Sequence, residues 1–181
     1  MSSLRIGDVC SMKCDKGFYR TLSNHTICER GSHDQEGHWS DGIFECHECI
    51  KWAEWNGSMY RFINTTQNLE ESKMICKEQS YYDAHLVYIE DEDENDFITN
   101  MILQCGSSWS AWIGLSDEDE EDKWKWGGSN AEYLNWGIYD GRNEPNGGEN
   151  ENYVFINYYG MGKWYDVGPN RNIHAVCERE M

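Results

Sequence analysis

"NLEESKMICKEQSYYDAHLVYIEDEDENDFITNMIL" runs from Asn68 to Leu103, and its periodicity changes twice. Residues 68–79 read as a helix: Asn68 stands at the N-cap, and Glu71, three residues on, can complete a capping box. "HLVYI" (85–89) is a short strand signal. From 91 to 103 the helical pattern returns. Its acids crowd the N-terminus, where the helix dipole favours them, and Phe97, Ile98, Met101 and Ile102 fall on one face.

Working outward, "SMYRFI" (58–63), "WIGL" (112–115), "YVFI" (153–156) and "HAVC" (174–177) read as strands. Two helices among separate strands predict an α+β fold. Between Ser116 and Asn152 lies a long polar stretch, and loops of that length are usually functional or disordered. It ends in "EPNGGENENYVFI" (144–156). Glu144, Asn146, Glu149, Asn150, Glu151 and Asn152 supply carboxylate and amide oxygens, with no cation in the stretch. Hard cations such as calcium bind such oxygens; the plain alternative is a solvated surface loop. Upstream, "DEDEED" (117–122) repels itself unless a counter-ion is near.

The chain has 181 residues, 33 acidic and 15 basic, for a formal net charge of -18. That balance disfavours nucleic acid, whose binding rests on Lys and Arg at phosphates, and anionic membrane surfaces. No run of about 20 apolar residues is present, so direct membrane insertion is not expected. "MSSLRIGDVC" lacks the apolar core of a signal peptide, and the chain is expected to be a mature form or a fragment. There is no P-loop, G-x-S-x-G or H-E-x-x-H. The paired acids fit cation ligands better than the acid/base pair of a glycosidase, so no enzyme is expected.

Composition shifts near residue 47. Residues 1–48 hold four of the eight Cys and few aliphatics; residues 49–181 carry most of the nine Trp and eleven Tyr. An even cysteine count, with sequons at Asn24, Asn56 and Asn64, favours an oxidising, extracellular setting and a glycoprotein. A zinc site built from Cys10, Cys14, Cys46 and Cys49 with His33, His38 and His47 competes.

Residues 49–181 resemble a C-type lectin-like domain. The matching pieces occur in order: "YRF", "CKEQSYYDAHLVYI", "WIGLSD", "WKWGGS", "EPN", "KWYD" and "HAVCERE". Residues 1–48 resemble the second half of a sushi, or complement control, module through "GDVCSMKCDKGFY", "TIC" and "GHWSDGIFEC". The resemblance implies two helices packed on small antiparallel sheets with a long polar ligand loop, preceded by a small all-β disulfide-rich module.

It further implies a calcium held by Glu144, Asn146, Glu151 and Asp166, with a cis Glu144–Pro145 bond, and the same side chains on the sugar hydroxyls. The EPN motif implies mannose-type sugars. Tyr165 stands where the family has Asn, as a degraded ligand position or as a ring stacked on the sugar; Tyr158 and Tyr159 are further sugar-contact candidates. Asp117, Glu121 and Asn152 match an auxiliary calcium site, in which Gly147 can offer no side chain. Trp112, Trp124, Trp126 and Trp136 match structural positions.

The implied disulfides are Cys76–Cys177 and Cys14–Cys46; Cys28 lacks the module's normal partner, Cys10 is a candidate for it, and that pairing is left open. Cys49 and Cys105 are left unassigned, and the family's inner disulfide is absent, Tyr153 holding one of its positions. Two functions stand side by side: a calcium-dependent lectin for mannose-type glycans, in adhesion or pattern recognition, and a calcium-independent module binding a protein partner such as a cell-surface glycoprotein.

Overall fold

A computed structural model describes residues 18–22, 28–30, 37–39, 44–49, 51–78, 83–106, 110–156 and 161–181. In the N-terminal part, β1 (Phe18–Leu22) pairs antiparallel with β4 (Phe44–Glu48), and β2 (Cys28–Arg30) with β3 (Gly37–Trp39). Cys10, Cys14 and Asn24 lie outside the described residues, as do the side chains of Cys28 and Cys46. The expected Cys14–Cys46 bridge falls there too.

The remainder is a nine-stranded sheet with two helices and a separate two-stranded hairpin. β5 (Ala53–Trp55) and β6 (Ser58–Gln67) form a hairpin, and β6 pairs with β15 (Ile173–Glu180), so the two ends of this region are zipped together. β15 also takes β7 (His85–Leu86) at one edge and runs parallel to β8 (Ala111–Ser116). β8 pairs onward with β9 (Lys125–Trp126) and with β13 (Tyr153–Ile156), which carries β14 (Trp164–Val167).

Helix α1 (Leu69–Glu78) begins with the predicted box closed in both directions: the Glu71 N–H donates to Asn68 Oδ1 (3.0 Å) and the Asn68 N–H to Glu71 Oε2 (3.2 Å). Helix α2 (Glu92–Cys105) is capped by Asp91, whose carboxylate accepts the Glu94 N–H at 2.8 Å. Its buried Phe97, Ile98, Met101 and Ile102 pack against Tyr60, Phe62, Ile113 and Trp164. Leu69 and Cys76 of α1 face a second cluster with Leu86, Trp112, Phe155 and Tyr165. Trp112, Trp124 and Trp126 are buried, as their structural reading requires.

The structure departs from the sequence reading at two elements. The strand expected over 85–89 is limited to His85–Leu86, after which Val87 bridges β15 and β8: its N–H donates to Val176 O, and its carbonyl accepts the Gly114 N–H. The 116–152 stretch is folded rather than loose. It contains the hairpins β9–β10 (Ser129–Asn130) and β11 (Ile138–Tyr139)–β12 (Arg142–Asn143), then a 3-10 turn over Gly148–Asn150. Buried Asn95 of α2 holds its return: the amide donates to Gly162 O, and its Oδ1 accepts from the Trp164 indole N–H at 2.8 Å.

Cys76 is bonded to Cys177, and Cys49 to Cys105. The second pair resolves the two cysteines left unassigned and removes Cys49 from the zinc reading. It ties the start of the region to the last residue of α2.

Candidate functional site

The EPN loop is positioned from both sides. The Glu144 N–H donates to Gly137 O, and the Gly137 N–H to Trp164 O, which hangs the loop on β14. The Glu144–Pro145 bond is cis. Asp166 on β14 then accepts the loop's backbone: the Asn146 N–H at 3.1 Å and the Gly147 N–H at 2.7 Å. Gly147 is required for a steric reason, since a Cβ there would meet the Glu151 side chain at 2.2 Å. The glycine that cannot supply an auxiliary ligand is the cradle in which Glu151 lies.

Glu144, Asn146, Glu151 and Asp166 line one cavity of about 330 Å³, together with Tyr139, Asp140, Arg142, Phe155, Tyr165 and Arg171. Glu144 is 9% exposed, and its Oε2 has no hydrogen-bond partner. Desolvation, a hydrogen bond with Asp166 and the charges of Asp166 and Glu151 push its carboxyl up to about 8. Desolvation and Asp166 also raise Glu151, against the pull of Arg171. Such crowding is what a divalent cation relieves, and all the donors are oxygens, as calcium prefers. Among the described residues no three His, Cys, Asp or Glu side chains already stand grouped at metal-ligand spacing; Asp166 is turned to the backbone N–H groups instead.

Tyr165 borders this cavity from beneath. It is 3% exposed, its ring stacks on Phe155 at 5.3 Å, and a Cβ on Gly137 would meet the ring at 2.5 Å. Its place is in the core under the site, not on a surface open to a sugar face. Tyr158 and Tyr159 lie outside the described residues.

The auxiliary set also comes together. The Asp117 N–H donates to Asn152 O, while Asp117 Oδ1 and Asn152 Oδ1 are buried without partners. Desolvation raises Asp117, and partial desolvation with the charges of Asp117, Asp122, Glu149 and Asp166 raises the exposed Glu121. Asn56 and Asn64 of the sequons are exposed.

Sequence reading missed Tyr139, Asp140, Arg142 and Arg171. The Asp140–Gly141 pair was the available signal, since Asp-Gly marks a tight hairpin turn; nothing local marks Arg171.

The C-type lectin domain model matches residues 65–179 and the sushi repeat model residues 2–46. The chain belongs to the C-type lectin domain family, with a sushi repeat ahead of that domain. It is 28% identical to perlucin of Haliotis laevigata over 124 residues, which cover 68% of this chain and 77% of perlucin. The mouse scavenger receptor C-type lectin carbohydrate-recognition domain superposes with a TM-score of 0.60 at 29% identity, covering 71% of this chain and 95% of that one. A calcium-independent type II antifreeze protein shares the fold, with a TM-score of 0.61 at 17% identity over 71% of this chain and 91% of its own.

Proposed function

We propose that residues 49–181 form an extracellular, calcium-dependent carbohydrate-binding module of mannose type, and that residues 1–48 are a partial sushi module. The observation that carries this reading is Glu144: a nine-tenths buried carboxylate with an unpartnered oxygen, on a cavity that Asn146, Glu151 and Asp166 also line. Those four side chains would hold one calcium, with water or a backbone carbonyl in the place the family fills with Asn. Bound calcium supplies coordination positions for two neighbouring sugar hydroxyls. Glu144 and Glu151 accept hydrogen bonds from those hydroxyls, and the Asn146 amide donates to them. Asp166 keeps the loop's turn closed through its bonds to the Asn146 and Gly147 N–H groups. Asp117, Glu121 and Asn152 would hold an auxiliary calcium, supported by the unpartnered oxygens of Asp117 and Asn152.

The calcium-independent, protein-binding reading draws on Tyr165, which supplies no amide ligand and is packed into the core. The test is calcium calorimetry followed by a glycan array with and without a chelator. Calcium heat, with mannose-type binding lost on chelation, supports the lectin. No calcium heat, with capture of a protein ligand, supports the alternative.

A further inference from the structure

The cavity holds two arginines that neither calcium nor sugar hydroxyls require. Arg142 comes from β12, and Arg171 from the segment between β14 and β15; both are exposed. In a chain of net charge -18, basic side chains should be drawn to acids. Lys73 pairs with Glu70, Lys123 with Glu120 and Lys125 with Asp119. Arg142 and Arg171 have no ion-pair partner among the described residues. Arg171 instead lies over the Phe155 ring, its Cζ 5.0 Å from the ring centroid, a cation–π contact that uses none of its N–H donors on an acid. Beside Arg142, across the β11–β12 register, Tyr139 is 51% exposed and offers an aromatic face at the cavity.

Charge decides what these arginines are placed for. With Glu144 ionised, as a bound calcium would hold it, Asp140, Glu144, Glu151 and Asp166 bring four negative charges to the wall, and the two arginines bring two positive ones. Without a cation the cavity repels anions; one bound calcium brings the sum to zero. The arginines then present forked donors that match a carboxylate or a sulfate ester.

We infer that the site takes an anionic glycan: vicinal hydroxyls on the calcium side, and a carboxylate or sulfate ester on the Arg142 and Arg171 guanidinium groups, with the sugar against Tyr139. This rests on the calcium-dependent reading above and narrows its ligand class.

The full chain and the variants Arg142→Gln, Arg171→Gln and the double variant are tested on matched neutral mannose-type, uronate-bearing and sulfate-bearing glycans, with calcium and with chelator. Calcium calorimetry is run on each. In calcium, anionic glycans should bind about tenfold tighter than neutral counterparts, the scale of one charge-assisted contact, and the double variant should lose that ratio. Its calcium affinity should rise, because a positive charge beside Glu151 is gone. Preference for uronates assigns the carboxylate, and preference for sulfates assigns the ester. Equal binding of neutral and anionic glycans overturns the inference while sparing the lectin. So does an anionic preference that survives the double substitution. No glycan binding of either kind, with no calcium heat, overturns both.

Discussion

Tyr165 and Asp166 are adjacent in β14 and both border the cavity, yet their side chains do different work. Asp166 accepts two backbone N–H groups, whereas Tyr165 is packed on Phe155. Tyr165→Asn puts a short amide where a buried ring was. It should lower the unfolding free energy by about 3 kcal/mol, the usual scale for removing a core aromatic. Tyr165→Phe, which keeps the ring, should lose much less; urea denaturation of the two variants checks the contrast. A second buried group sets a pH dependence. Glu94 is 5% exposed and accepts the Tyr60 O–H at 2.6 Å and the Glu90 N–H at 2.8 Å. Desolvation outweighs these bonds and raises its carboxyl from 4.5 to about 7. The folded protein therefore keeps a proton that the unfolded chain releases. Glu94's contribution to stability is complete below pH 4.5 and is lost as pH rises to about 7. Glu94→Gln should flatten that part of the profile in denaturation midpoints taken across pH in chelator.

At the scale of elements, the EPN loop and α2 are each held by something the local pattern does not contain. Glu151 fills the space over Gly147. Gly147→Asp restores an acid where the family often has one, and it should weaken calcium binding instead of adding a ligand, because the new side chain displaces Glu151. Calorimetry reads the sign. The Cys49–Cys105 bridge closes a sequence separation of 56. Chain entropy puts its contribution at about 4 kcal/mol. The Cys49→Ser, Cys105→Ser double variant should lose stability on that scale, and it should expose the amides at the end of α2 to faster hydrogen exchange.

For the whole molecule, the proposed calcium would be a ligand of the folded state alone, since the four side chains proposed to hold it come from a loop and a separate strand. Stability should rise with calcium by about 2.7 kcal/mol at a hundredfold excess over Kd. Glu144→Ala should abolish the rise, because it removes a charged ligand from the shared cavity. Thermal melts across a calcium series check this. A flat series in the unsubstituted protein contradicts the proposed site.

The sequence by itself determined what depends on a few consecutive residues. The reciprocal Asn68–Glu71 cap, the apolar face of α2, the strands at 112–115 and 153–156 and the family motifs all follow from local pattern. Tertiary structure alone decided what depends on distance between remote segments. It paired Cys49 with Cys105, split the polar 116–152 stretch into hairpins, turned Tyr165 into the core and set Arg171 beside Glu151. The physical reason is that a side chain's neighbours across a sheet are fixed by register and packing. Neither is written in the spacing of the residues that meet there.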